Sequence, residues 1–354
     1  MRIAFFASSL VSAYWNGAAT YYRGIVRALA ERGHRITFYE PDAFDRQSHR
    51  DMDDPPWARV VVYSADGDEH VRRCVDAARD ADLVVKASGV GVFDALLEEA
   101  VLELASPSRR VVFWDVDAPA TLARVRNDEH DPFRALIPKY DLVLTYGGGE
   151  PVRDGYRALG ARDCVPIYNA LDPSTHFPVP KERRFAADLG FLGNRLPDRE
   201  ERVARFFIEA ARCLPDHTFI LGGNGWDDKP LPPNVRWAGH VYTRDHNAWN
   251  CSLGAVLNIS RDSMAEMGFS PATRVFEAAG AGACIVTDVW KGIGEFLAPG
   301  EEILVANDGE EVAALLDGTT RTERRRIGEA ARRRVLAQHT YAHRAAQLEE
   351  VLDG

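Results

Sequence analysis

Short apolar runs rich in β-branched and aromatic residues recur along the chain, and between them apolar positions fall at helical spacing. Residues 2–7, 35–40, 59–63, 82–87, 110–114, 141–146 and 164–168 read as strands. The first intervening helix is the clearest. Tyr22, Ile25, Val26 and Leu29 stand at i, i+3, i+4 and i+7, and Gly33 follows where a left-handed C-cap belongs. Strands alternating with helices imply a mostly parallel, doubly wound sheet.

A stretch rich in proline and charge, 171–184, interrupts the alternation, with three prolines between Pro173 and Pro180, and reads as a linker. The pattern then resumes with strands at 188–192, 218–221, 234–238, 253–259, 283–287 and 302–306. Residues 322–352 read as helical, broken near Gln338-His339-Thr340. The expected organisation is an N-terminal Rossmann-like domain over 1–170, the linker, a second Rossmann-like domain over 185–338, and a final helical segment over 339–354. Two such α/β domains would face each other across a cleft, with ligands at the carboxyl ends of the strands.

Composition narrows the function classes. The 354 residues carry 43 Lys and Arg against 53 Asp and Glu, a net charge of −10, which argues against nucleic-acid or anionic-membrane partners. At 46% hydrophobic and 27% charged the chain is ordinary for a globular protein. No apolar run approaches the length of a membrane helix, and the first seven residues are too short a run for a signal peptide, so a cytoplasmic location is expected. Five widely spaced cysteines form no CxxC pair, and the ten histidines show no HExxH-type spacing. No metal and no bound cofactor are expected.

The chemistry-bearing positions follow strands. Asn16-Gly17-Ala18-Ala19 enters the first helix, either as a simple turn or as a place where backbone N–H groups meet a phosphate. In 269–282, Ser270 suits an N-cap and Pro271 the first helical turn. Arg274 and Glu277, three residues apart on one face, read either as a diphosphate ligand and a ribose ligand or as a surface ion pair. Thr273 lies at the same helix entrance. Asp115-Val116-Asp117 contains an Asp-x-Asp, but alternate strand residues point to opposite faces and do not chelate one metal. Asp117, just past a strand, reads either as a general base toward an acceptor hydroxyl or as the N-cap of the helix that follows.

These blocks have an order and spacing that resemble a known group. NVRWAGHV, NAWNCSLGAVLNIS, SPATRVFEAAGAGACIVTD and KGIGEFLAPGEEILVAND, between 234 and 316, are similar to the nucleotide-sugar domain of GT-B glycosyltransferases of the glycosyl transferases group 1 type. Together with NGAATYYRGIVRALAERGHRITFYEPD near the start, they resemble the spore-maturation-protein-like branch.

The resemblance implies a GT-B fold whose last helix returns to the N-terminal domain, and a nucleoside-diphosphate sugar as co-substrate. By the same resemblance Glu277 contacts the donor ribose and Gly17 faces the donor phosphates. The block Gly190-Phe-Leu-Gly193-Asn194-Arg195 opens the donor domain, with Arg195 offered to the diphosphate. The group's usual glutamate eight residues before Glu277 is absent here, since position 269 is Phe.

The function so implied is metal-independent transfer of a sugar from a nucleoside diphosphate to a hydroxyl or similar nucleophile on an acceptor. A nucleotide-sugar epimerase and a non-catalytic nucleotide-sugar binder are the alternatives.

Overall fold

The computed structural model describes residues 1–353. The chain divides into two compact units. The first is Met1–Asn169 together with the segment that begins at Tyr341, and the second is Ala170–Thr340.

In the first unit the strands are β1 Arg2–Phe6, β2 Arg35–Asp42, β3 Arg59–Ser64, β4 Leu83–Ala87, β5 Arg110–Asp115, β6 Leu142–Thr145 and β7 Cys164–Pro166. All pair in parallel in the order β3-β2-β1-β4-β5-β6-β7. The apolar runs of the inner strands are continuous because helices cover both faces, so neither face can be polar. Phe5, which pairs with Phe38 on one side and Val85 on the other, is fully buried.

Helix Ala19–Glu31 ends at Gly33, which takes a positive φ of 89° as the sequence predicts. It packs against helix Tyr341–Asp353, which therefore belongs to the first unit. Gly24 is required at this crossing, since a Cβ there would collide with the Tyr341 ring. Glu349 accepts from both Arg32 and His34, and these bonds hold its carboxyl down at about 2.

The second unit holds β8 Ala187–Leu192, β9 Phe219–Gly222, β10 Val235–Gly239, β11 Leu253–Asn258, β12 Ile285–Asp288 and β13 Leu304–Ala306, again all parallel, in the order β10-β9-β8-β11-β12-β13. Leu189, Phe191, Phe207, Leu221, Leu257 and Val286 lie in one continuous core beneath its helices. The proline-rich stretch packs with this unit: Leu171 N–H donates to the His339 carbonyl, and the Leu171 side chain lies against Gly280. The helical C-terminal region breaks between Arg321–Gln338 and Tyr341–Asp353, where the pattern predicts it.

No helix among the described residues is long and apolar enough to cross a membrane, and all five cysteines are free thiols.

Candidate active site

In the second unit the chain winds from β8 to β9 and β10 on one side, and through β11, β12 and β13 on the other. The crevice where such a sheet receives ligands lies at the ends of β8 and β11. Arg274 stands there. Its guanidinium donates to the Leu192 carbonyl at the end of β8 and reaches Asn258 Oδ1, at the end of β11, at 3.5 Å. The Phe191 ring lies 5.2 Å from the cation. Asn258 is oriented in turn by donating to Thr287 Oγ1 at 3.0 Å.

A second guanidinium converges on the same strand end. Arg199 donates to the Asn194 carbonyl at 3.2 Å, and a Cβ on Gly193 would sit 3.1 Å from its Nη1. Close surroundings and the Arg199 charge bring Arg274 down to about 10, with Glu277 opposing the shift, so it is still a cation at neutral pH. Two like charges beside a glycine-lined strand end favour an anion between them. Gly223 tightens the loop opposite: it takes a φ of 115°, and a Cβ there would strike the Gly193 main chain.

Arg195, the sequence candidate for the diphosphate, is engaged elsewhere. It forms ion pairs with Glu200 at 2.6 Å and Asp228 at 2.8 Å, which raise its pKa. The reason is local. Helix Pro197–Val203 presents Glu200 within reach of Arg195, whereas Arg199, one residue earlier on that helix, turns toward Gly193. Sequence reasoning passed over Arg199 because an arginine in a charged helix start carries no spacing signal.

Helix Thr273–Gly280 begins later than expected. Ala272, extended at ψ 148°, is its N-cap, and the Ser270 hydroxyl donates to the Gly268 carbonyl instead of capping. Thr273 is thus the first helical residue. Phe269, where an acid would stand in the resembling group, is buried at a φ of 48°, with its N–H bonded to the Lys291 carbonyl at 2.6 Å. Glu266 and Glu295 are exposed.

Arg274 and Glu277 have different partners. Glu277 Oε1 lies 3.8 Å from Nε2 of the buried His176, with His246 beside them. Burial lowers the His246 pKa, which Glu277 partly opposes, and its ring also bonds to the Val241 main chain. This trio joins residues 176, 246 and 277 from three separate segments, so no sequence spacing announces it.

In the first unit Gly17 is exposed, and a Cβ there would touch nothing. The turn before it is fixed by Asn16, whose side chain accepts from the Ser8 hydroxyl and donates to the Ser9 and Ser12 carbonyls. The Asp-x-Asp splits as strand geometry demands. Asp115 is fully buried and accepts from Ser88 Oγ at 2.7 Å, Thr121 Oγ1 at 3.1 Å, Tyr156 Oη at 2.5 Å and the Asp117 N–H at 3.0 Å. Asp117 is exposed at the N-cap position of helix Ala118–Asn127, but its side chain makes no capping bond. The capping alternative is therefore not the arrangement found. Trp226 is core, donating to the Gly193 carbonyl at 2.8 Å.

Residues 199–350 match the family model described as glycosyl transferase-like, a span that includes Arg199, His246, Arg274 and Glu277. Among curated protein sequences none matches. Solved structures match over the whole length at low identity. Anabaena HepE in complex with UDP and glucose aligns at 16% identity, covering 100% of this chain and 99% of that one, with a TM-score of 0.68. Sucrose-phosphate synthase from Thermosynechococcus elongatus aligns at 13% identity, covering 100% and 98%, with a TM-score of 0.70. An α-glucosyltransferase in complex with UDP-glucose and DNA aligns at 14% identity, covering both chains fully, with a TM-score of 0.70. The chain has the GT-B glycosyltransferase fold, and its residues 199–350 carry the glycosyl transferase-like family pattern.

Proposed function

We propose that the chain is a glycosyltransferase that takes a sugar from a nucleoside diphosphate and delivers it to a hydroxyl or similar nucleophile of an acceptor. The observation that carries this reading is the convergence of Arg274 and Arg199 on the end of β8, one helical turn from Glu277. A diphosphate would neutralise the paired guanidiniums, and Glu277 would accept from ribose hydroxyls. As the sugar–phosphate bond breaks, charge grows on the leaving diphosphate, and fixed cations stabilise that charge without reorganising. Gly193, Ser270 and Thr273 line the same approach, whereas Arg195 supports the loop through its acidic partners.

UDP-glucose is the first donor to test, because structures sharing this fold were solved with UDP or UDP-glucose. On the acceptor side Asp117 is the proposed base and Gly17 the proposed phosphate-facing glycine. The acceptor we propose is not a nucleic acid, since the net charge of −10 opposes a polyanion. Free thiols accord with a cytoplasmic setting. The epimerase and non-catalytic alternatives are not favoured, because neither is suggested by the family pattern.

A thermal-shift screen over UDP, GDP and dTDP, followed by a nucleotide-release assay on the corresponding sugars, tests the proposal. Stabilisation by one diphosphate and release of it from its sugar are expected. No stabilisation by any diphosphate, together with no release, would overturn it.

A further inference from the structure

We propose that His176, His246 and Glu277 form a site for a divalent transition metal, zinc being the best fit, and that an ion bound there excludes nucleotide from the donor site. The metal site stands on the second unit's own side chains. Only the exclusion rests on the assignment of Glu277 to the ribose.

One ligand atom from each of the three residues lies within 4.8 Å of the others, and His176 Nε2 is 3.8 Å from Glu277 Oε1. Two imidazoles and one carboxylate are the donor set of open zinc sites, in which a fourth position is left for water. His176 carries the outer support such a ligand needs, and the His246 ring is anchored to the main chain. His176 Nδ1 is 2.9 Å from the Thr175 hydroxyl, which leaves Nε2 toward Glu277, and the His246 ring is tied to the Val241 main chain.

The backbone under the trio is fixed as well. Asn247, next to His246, donates to the Thr175 carbonyl at 2.8 Å and accepts from the Phe177 N–H, fastening the turn that carries His176 to helix His246–Ser252. On the third side Gly280, in the helix of Glu277, lies against the His176 carbonyl, where a Cβ would come within 3.0 Å. Three segments are thus pinned so that the ligand atoms meet before any ion arrives. A carboxylate engaged by a dication has its oxygens turned from ribose hydroxyls, so metal and nucleotide compete.

The test uses the full chain after treatment with a chelator. Cobalt(II) titration is followed by its visible absorption, zinc by calorimetry, and UDP affinity is measured with and without zinc. We expect one ion per chain, at least tenfold weaker binding in His176→Gln and in His246→Gln, and a UDP affinity that zinc lowers in the native chain but not in the two variants. Retained UDP affinity and circular dichroism in the variants report that the fold is intact. Absence of stoichiometric binding by either ion, or binding unchanged in both variants, would overturn the site. Histidine-dependent binding with no effect of zinc on UDP affinity would overturn the exclusion alone.

Discussion

The Arg274 guanidinium donates to the Leu192 carbonyl, so a side chain from the helix that leads into β12 is anchored on the end of β8. The cation is held at the sheet's switch point before any ligand is present, and a preorganised donor loses little entropy when a phosphate arrives.

Arg274→Ala is therefore expected to weaken UDP binding by roughly 10- to 100-fold, the range for losing hydrogen bonds to a charged group, while uridine binding changes little. Arg274→Lys should recover only part of the loss, because an ammonium cannot span Leu192 and Asn258 together. Calorimetric titration with the two ligands checks this, and equal losses for both would remove Arg274 from the diphosphate.

Arg199→Ala and Arg195→Ala should part company. The first removes one of the two converging cations and is expected to cost diphosphate affinity. The second breaks ion pairs on a part-exposed loop and should leave both UDP affinity and melting temperature close to native. The reverse pattern would return the diphosphate to Arg195.

Asp115 and Asp117 offer a matched pair in the first unit. Asp115→Ala removes the acceptor of the Ser88 and Tyr156 hydroxyls in a buried space and should destabilise the protein by at least about 2 kcal/mol in denaturant unfolding. Asp117→Asn should leave stability unchanged and, if Asp117 is the base, lower kcat by roughly 10²- to 10⁴-fold with donor affinity intact. An active Asp117→Asn enzyme would move the search for the base elsewhere.

Glu349 gives a pH prediction. Its folded pKa, near 2, lies below the usual carboxylate value, so the stability it contributes is complete above about 4.5 and is lost as pH falls toward 2. The gap in melting temperature between the native chain and Glu349→Gln should be widest at neutral pH and shrink across that window. A gap that stays constant from pH 7 to pH 3 would show that Arg32 and His34 do not hold the carboxylate in solution.

Most of the fold was legible because the inner strands of both sheets are buried between helices, and such strands declare themselves as runs of Val, Ile, Leu and Phe. All thirteen lie where those runs stand, with ends displaced by one or two residues. What the sequence hid was side-chain direction. Arg195 and Arg199 are both arginines near one helix start, and only the turn of that helix gives Glu200 to the first and Gly193 to the second. Ser270 followed by Pro271 is a sound helix start by local rules, yet the bond from Ser270 to Gly268 and the positive φ of Phe269 delay the helix to Thr273. His176 and His246 were invisible as a pair because seventy residues separate them.

Gly24 and Tyr341 tie the first helix to one made more than three hundred residues later. During synthesis, residues 170–340 are complete while the apolar surface around Gly24 and Tyr21 is still bare. The first unit closes over that surface only after Tyr341–Asp353 has emerged. Residues 170–340 are thus contiguous in the chain, whereas 1–169 would need 341–353 supplied, by fusion or as a peptide, to cover the same face.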